Sequence, residues 1–486
     1  MTRIRLNGKE IDADKDRPLI AAALANGVDV PHYCYHSGLT PVGSCRMCQV
    51  EVTEGERPAR VVAACRTPVS EGMQVETQTP AAQAARRECL EFLLKNHPLD
   101  CAICDKAGEC QLQDYTYAEG QSEGLSAEPR RKLDKRRSLG EVILLDQERC
   151  ILCSRCVRFF EEVEGQAQLT IAGRGANSTI QTFAGRDLSG NYQGNVADLC
   201  PVGALTLKSF RFQARVWNLT KRASTCGECS RGCAISVEVL RQGQVKRIRP
   251  RYEALVNRWW MCDTGRFAFE GATLSGRLEG AQLRGYSGLE DCSTSEALAA
   301  VATGFAVHTN HVFIASPWLT VEEGRDLVEL AQAVGAVLRM VSPEESGLAD
   351  KILNTGDPCP NRRGLADVGI ESASAPECLQ LCTGAETATL VGERVVNLVG
   401  REALSEHDGK SRLFVFDTQA LDAARVAVQV GVASWVERSG TWVNADGHES
   451  PIAAARSAPA GVCGTQGLLD DLRALVATCA PGSVSR

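Results

Sequence analysis

The chain has 486 residues, a formal net charge of −7 at pH 7 and 44% hydrophobic residues. That length suits roughly three to five domains, and the mildly acidic balance gives no overall reason to expect a nucleic-acid partner. Its 22 cysteines, sixteen of them before residue 263, are the outlier. The opening MTRIRLNGKEIDADKD has no apolar leader core, and no run of about 18 apolar residues suggests a membrane span. The expectation is a cytosolic protein whose cysteines bind metal, because disulfides rarely persist in that compartment.

In chain order, TRIRLNGKEIDAD predicts a hairpin, with Asn7-Gly8 suited to the tight turn. RPLIAAALANG predicts a short helix closed by Gly27. Cys34, Cys45, Cys48 and Cys65 follow in loops, and MQVETQT supplies a last strand, so residues 1–80 form a small β-rich domain. AAQAARRECLEFLLKN is helical in pattern, with Leu90, Leu93 and Leu94 apolar. Pro98 pushes His97 out of helical geometry, so this helix should end near Asn96. Cys101, Cys104 and Cys110 complete a segment at 81–120.

Residues 119–140 are polar and end in a basic run, expected as an exposed connection with solvated charges. Residues 121–217 carry a further cysteine set, and 218–275 another in a region rich in arginine and lysine. From 276 to 486 the pattern turns α/β: HVFIAS, VLRMV and RLFVF predict strands and VEEGRDLVELAQAVGA an amphipathic helix. TIAGRGANST, with Gly173 and Gly175, lacks the third glycine of a dinucleotide fingerprint and is expected as a loop that binds no nucleotide. The basic stretches KSFRFQARVWNLTKR and RQGQVKRIRPRY flank two cysteine sets and suit local charge compensation or a partner interface.

Four donor sets emerge. Cys34-x10-Cys45-x2-Cys48-x16-Cys65, in loops of a β domain, suits a [2Fe–2S] cluster, although its first gap departs from the plant-type spacing. Cys150-x2-Cys153-x2-Cys156 follows the bacterial ferredoxin run, but Phe160 stands where the fourth cysteine belongs. Counting back from Cys200-Pro201 by the same spacing meets Gly190, Gln193 and Val196. The pattern is that of a two-cluster ferredoxin with one site erased, leaving Cys150, Cys153, Cys156 and Cys200 as one set. Cys226-x2-Cys229-x3-Cys233-x28-Cys262 is the last set; structural zinc is its main rival, though zinc ribbons favour two Cys-x2-Cys pairs.

Cys101, Cys104 and Cys110 are then one donor short, with Cys89 the spare cysteine inside the preceding helix. His97, four residues upstream in a proline-marked turn, completes the set, and histidine is an established iron–sulfur ligand. Cys292, Cys359, Cys378, Cys382, Cys463, Cys479 and Cys89 read as free cysteines.

In this order the motifs of residues 1–217 resemble the large iron–sulfur subunit of NADH:quinone oxidoreductase, respiratory complex I. The last set and the C-terminal half resemble molybdopterin oxidoreductases, and SWVERSGTWVNADGHESP looks like the loop that lies near the pterin in catalytic relatives. The resemblance implies an α+β multidomain fold: a β-grasp [2Fe–2S] ferredoxin domain, a helical His/Cys cluster segment, a ferredoxin-like [4Fe–4S] domain and a degenerate molybdopterin-oxidoreductase-like α/β domain. It implies three [4Fe–4S] clusters, on His97/Cys101/Cys104/Cys110, on Cys150/Cys153/Cys156/Cys200 and, off the main path, on Cys226/Cys229/Cys233/Cys262. It also implies an electron relay without a catalytic site of its own, between an NADH/FMN flavoprotein and downstream [4Fe–4S] and quinone-site subunits. The place would be the cytoplasmic face of a bacterial membrane, reached through partners. Two departures argue against molybdopterin: Cys262 is followed by Asp-Thr-Gly-Arg where catalytic relatives have a lysine, and only 224 residues remain. No flavin or NAD site is expected. The alternatives are the electron-transfer subunit of a soluble NAD-linked hydrogenase or formate dehydrogenase.

Overall fold

The computed structural model describes residues 2–271, 276–406 and 410–479, the side chains of 270, 271 and 479 excepted. The chain divides into two compact units, Met1–Leu219 and Thr220–Arg486.

The first unit opens with strands β1 (Thr2–Leu6) and β2 (Lys9–Ala13). Asn7 and Gly8 both have positive φ, 47° and 77°, as a two-residue turn matched to strand twist requires. Helix α1 (Leu19–Ala25) ends with Gly27 at φ 73°, the left-handed residue that closes a helix. With β3 (Gln49–Thr53), β4 (Arg60–Ala63) and β5 (Gln74–Glu76) the sheet runs β2-β1-β5-β3-β4. Only β1 and β5 pair in parallel. Alternating residues Ile4, Leu6, Val50, Val52 and Val75 bury one face against Leu19 and Ile20 of α1.

Helix α2 (Pro80–Asn96) starts on Thr79, whose side chain accepts from the Ala82 amide, and stops where His97 turns extended (φ −67°, ψ 130°) before Pro98. Its Arg86 is wholly buried, donates to the carbonyls of Gln49 and Thr77, and pairs with Glu119 of α3 (Gln111–Glu119) at 3.0 Å. That one guanidinium ties α2 to the sheet and to α3.

The rest of the unit comprises β6 (Arg137–Ser138), β7 (Ile143–Leu145), α4 (Arg155–Phe159), β8 (Leu169–Ala172), β9 (Thr179–Thr182), α5 (Asn195–Leu199) and β10 (Leu205–Leu207). The glycine-rich stretch is the turn between antiparallel β8 and β9, as expected of a loop. The connection at 119–140 is largely exposed, as expected, but part of its charge is paired. Lys135 pairs with Asp100, Asp146 and Glu148, Arg130 donates to the His97 carbonyl, and Arg137–Ser138 joins a sheet. The partner carboxylates lie outside the run, Asp146 and Glu148 shortly after it and Asp100 before it, so reading the run by itself could not find them.

In the second unit, β11 (Leu219–Thr225), β12 (Ala234–Leu240) and β13 (Val245–Pro250) form a three-stranded sheet, followed by α6 (Asp263–Gly271). The larger sheet is built from β14 (Ala281–Arg284), β15 (Leu289–Cys292), β16 (His311–Ala315), β17 (Val337–Ser342), β18 (Ser372–Ser374), β19 (Thr387–Val391), β20 (Arg412–Asp417) and β21 (Val426–Gly431), in the order β15-β14-β21-β20-β19-β16-β17-β18. The six strands from β21 to β18 are parallel, and β14 and β15 add an antiparallel edge. Strand order reverses between β16 and β19, the switch point of a doubly wound sheet.

Helices α7 (Thr294–Val307) and α8 (Val321–Val334) cover one face of this sheet, together with the C-terminal helix Thr465–Cys479, around Phe305, Phe313, Leu327 and Phe414. The opposite face packs Ile314, Leu390 and Val415 against the helix Ala375–Gly384, which buries Cys378 and Cys382. The predicted strands HVFIAS, VLRMV and RLFVF and the helix VEEGRDLVELAQAVGA all form. The segment SWVERSGTWVNADGHESP, expected as a loop, contains a hairpin, Gly440–Val443 with Glu449–Ile452, anchored by buried Trp435 and Trp442. Among the described residues no helix is long and apolar enough to cross a membrane.

Candidate metal centres

The first donor set lies in the loops around β3 and β4. Cys34, Cys48 and Cys65 are buried and Cys45 half-buried. Cys34 is within hydrogen-bond reach of Cys45 and Cys65, and Cys65 of Cys48. The Cys34 amide donates to Cys45 Sγ at 3.4 Å. Gly43 (φ 70°) and Arg46 (φ 56°) are left-handed on either side of Cys45, which is how so short a loop turns. The shared hydrogen bonds lower the Cys34 thiol and raise Cys45 and Cys65.

His97, Cys101, Cys104 and Cys110 line a single cavity, together with Arg149 and Gly203. Cys104 and Cys110 are buried and Cys101 is exposed. Burial, then the charge of Arg149, lowers His97 to about 4, so the ring is neutral near pH 7 and a lone pair is free for a metal. Burial pushes Cys110 up to about 11. Arg215, from the first basic stretch, donates to the carbonyls of Cys104 and Ala102, which fits charge compensation beside this set. Gly203 is required by space: a Cβ there would collide with Cys104 Sγ.

Cys150, Cys153, Cys156 and Cys200 line another cavity, walled by Leu145, Ile180 and Val202. Leu152 and Ser154 are left-handed (φ 52° and 59°), and the Leu152 amide donates to Cys150 Sγ at 3.4 Å. Burial raises Cys150 to about 12 and Cys153 to about 11. At the positions of the erased site, Phe160 and Val196 are wholly buried and Gln193 bonds the Gly190 carbonyl. Apolar and amide side chains occupy what cysteines would have used.

In the second unit Cys226, Cys229, Cys233 and Cys262 are all buried. A Cβ on Gly265 would lie 2.7 Å from Cys226 Sγ and 3.7 Å from Cys262 Sγ, so both sulfurs converge on that glycine. The Gly265 amide donates to Cys262 Sγ at 3.4 Å. The intervening Cys226–Cys229 loop is held from the switch point: Trp318 Nε1 donates to the Gly227 carbonyl (2.9 Å), and Arg394 pairs with Glu228 (2.9 Å) while stacking over Trp318.

These sets fit iron–sulfur clusters on their own chemistry. Burial raises Cys150, Cys153 and Cys262, so these grouped thiols resist ionisation; a cationic iron core would replace the protons and offset the cost of grouping them. Among the described residues, no three His, Cys, Asp or Glu side chains meet closely enough to grip one metal ion; two of the sets instead surround cavities. Of the other cysteines, Cys359, Cys378 and Cys382 are buried and Cys89, Cys292 and Cys463 half-buried, all free. The side chain of Cys479 lies outside the described residues. Gly203, Gly265, Arg149 and Arg155 went unnoticed in the sequence. The glycine three residues after Cys200 and the arginine inside CSRC were the available signals.

The folds and donor sets define a multidomain iron–sulfur protein. Family models match accordingly: a 2Fe-2S iron-sulfur cluster binding domain at 1–80 and the NADH-ubiquinone oxidoreductase-G iron-sulfur binding region at 86–124. Further along, the NADH-quinone oxidoreductase subunit 3 ferredoxin-like domain matches 140–206, and the molybdopterin oxidoreductase Fe4S4 domain 219–272. The mitochondrial NADH dehydrogenase [ubiquinone] iron-sulfur protein 1 of Solanum tuberosum is 41% identical over 299 residues, 61% of this chain and 40% of that one. The NADH-ubiquinone oxidoreductase 75 kDa subunit of Reclinomonas americana is 40% identical over 271 residues, 56% of this chain and 38% of that one. Among solved structures, an NAD+-reducing [NiFe]-hydrogenase chain shares 33% identity over 44% of this chain and 91% of its own, with a TM-score of 0.39. Over these matched residues the chain is similar to iron–sulfur and G-type subunits of NADH-quinone and NADH-ubiquinone oxidoreductases. It spans 36–44% of the length of the curated relatives it matches.

Proposed function

We propose that this chain is the electron-relay subunit of an NADH:quinone oxidoreductase. It would hold one [2Fe–2S] cluster on Cys34, Cys45, Cys48 and Cys65, and three [4Fe–4S] clusters on the other sets. Its domains would be a β-grasp ferredoxin domain (1–80), a His/Cys segment (81–120), a ferredoxin-like domain (121–217), an Fe4S4 domain (218–275) and a degenerate molybdopterin-oxidoreductase-like α/β domain (276–486). Such clusters accept and release single electrons; the protein's part is to hold them and tune them.

The observation that carries this reading is the interlocking of two donor sets inside one unit. The turn Cys200-Pro201-Val202-Gly203 contributes a donor to one cavity and a wall to the next, and the Gln111 amide after Cys110 donates to the Pro201 carbonyl at 3.1 Å. Adjacent sets so joined suit a relay. Cys101 is exposed among exposed Leu99 and Ile103, a surface suited to a downstream iron–sulfur partner. The upstream partner would be an NADH/FMN flavoprotein, with attachment to the cytoplasmic side of the membrane through other subunits. Trp318, Arg394 and Trp442 fill the space beside Gly227, which supports a scaffold role for the last unit without pterin.

Elemental analysis of the anaerobically purified chain tests the reading. About 14 iron atoms per chain are expected, with neither molybdenum nor zinc in stoichiometric amount. Stoichiometric molybdenum would sink it, and four fewer irons with one zinc would reassign the last set. A second measurement addresses His97. A neutral imidazole in place of a thiolate makes its cluster less negative, so His97→Cys should move that midpoint to more negative potential in an EPR titration while iron content holds. An unchanged or raised midpoint would count against His97 as a ligand.

A further inference from the structure

We infer that Arg155 is a shared tuning residue, a buried cation placed between the Cys34/Cys45/Cys48/Cys65 set and the Cys150/Cys153/Cys156/Cys200 set that raises the potentials of both clusters together. The inference rests on the reading that both sets hold clusters.

Arg155 lies between Cys153 and Cys156 at the start of α4 and is 5% exposed. Its guanidinium reaches the backbone beside ligands of two sets and a side chain beside a third. Nη2 donates to the carbonyl of Tyr35, the residue after Cys34, at 2.6 Å. Nη1 donates to the carbonyl of Leu199, the residue before Cys200, at 3.1 Å, and to Oε1 of Gln111, the residue after Cys110, at 3.3 Å. Nε is buried without a partner. The neighbouring Arg158 behaves alike on one side, donating to the carbonyls of Cys34 and Thr40.

What separates Arg155 from an ordinary buried arginine is its lack of an acid. Buried Arg86 has Glu119 and buried Arg149 has Asp100 and Asp146. Among the described residues no carboxylate pairs with Arg155; every acceptor is a neutral oxygen. A guanidinium does not deprotonate in proteins, and an unpaired buried charge is strongly unfavourable. The groups placed to compensate it are the sulfurs of both sets: Arg155 lines the Cys150/Cys153/Cys156/Cys200 cavity and bonds the carbonyls of the residues next to Cys200 and Cys34. The cation is thus compensated by thiolate-ligated clusters on two sides. In a low-dielectric interior the same charge favours the reduced, more negative state of each. Because the charge is one and its neighbours two, removing it must move both potentials in the same direction.

A purely structural role, stapling carbonyls together, makes a different prediction. The test uses the full chain with Arg155→Met, which keeps bulk and removes charge, and Arg155→Lys, which keeps charge and loses the fork. Iron content and potentiometric EPR are read for all clusters. Arg155→Met is expected to retain iron and to shift both midpoints to more negative potential, with the Cys226/Cys229/Cys233/Cys262 midpoint unmoved. Arg155→Lys is expected to stay nearer the parent at both. Intact signals with both midpoints unchanged, or only one displaced, would overturn the inference. If Arg155→Met loses iron, the lysine variant decides: parent-like midpoints support charge as the operative property, and a loss of both signals there supports the staple. Absence of either cluster signal in the parent protein would refute the underlying assignment instead.

Discussion

Replacing Cys200 by alanine is expected to remove about four iron atoms per chain, abolish one [4Fe–4S] EPR signal, and leave the signal of the His97 set in place. Cys200 is the one donor of its set that comes from outside the CILCSRC run, and it stands on the same cavity as Cys150, Cys153 and Cys156. Without it, the three remaining thiols, whose pKa values burial has raised, have too few partners to retain the iron core. If the chain is the relay proposed above, electron transfer from NADH to quinone in its complex should fall to background, while reduction of a small one-electron acceptor at the proposed flavoprotein partner persists. Unchanged iron would mean that Cys200 is a free core cysteine.

Three residues on, Gly203→Ala is expected to produce the mirror result, with the His97/Cys101/Cys104/Cys110 signal lost or severely broadened. Gly203 walls that cavity, and the new methyl group would occupy the place of Cys104 Sγ. Relief by movement is restricted. Arg149 fills the same cavity wall from an ion cluster with Asp100 and Asp146 that Lys135 joins, and Lys106 donates to the Ala197 carbonyl. Overpacking of a tight site typically costs about 1–3 kcal/mol, and here the atom displaced is itself a donor. The Cys150 set, which Gly203 does not line, should retain its signal. Parent-like spectra for both sets would show that the loop gives way. Taken together, the two substitutions assign one turn of four residues to two centres.

Much of this was legible in the residues themselves. Asn7-Gly8 specified its hairpin, because only residues that tolerate positive φ can close a two-residue turn. Pro98 ended α2 at Asn96, because the ring of a proline denies its predecessor the helical conformation. Capping boxes at Ser293, Thr320 and Ser374, each with glutamate three residues on, mark the starts of three helices in the α/β unit. The buried strands TATLV and VAVQVG went unpredicted. A strand covered on both faces shows no alternation, and short apolar runs read equally as helix.

For the donor sets the division follows the range of the interaction. Cysteine spacing, a missing fourth cysteine at Phe160 and a histidine before Pro98 are covalent facts of the chain, so the proposed grouping of donors was readable from the sequence by itself. It could not determine how the groups meet. That Gly203 and Arg149 wall the His97 cavity, that Lys135 is drawn to three carboxylates, and that Arg155 lies unpaired between two sets depend on contacts between residues tens to more than a hundred positions apart. Burial and through-space charge act on distance, not on order along the chain, and only the tertiary structure decides them.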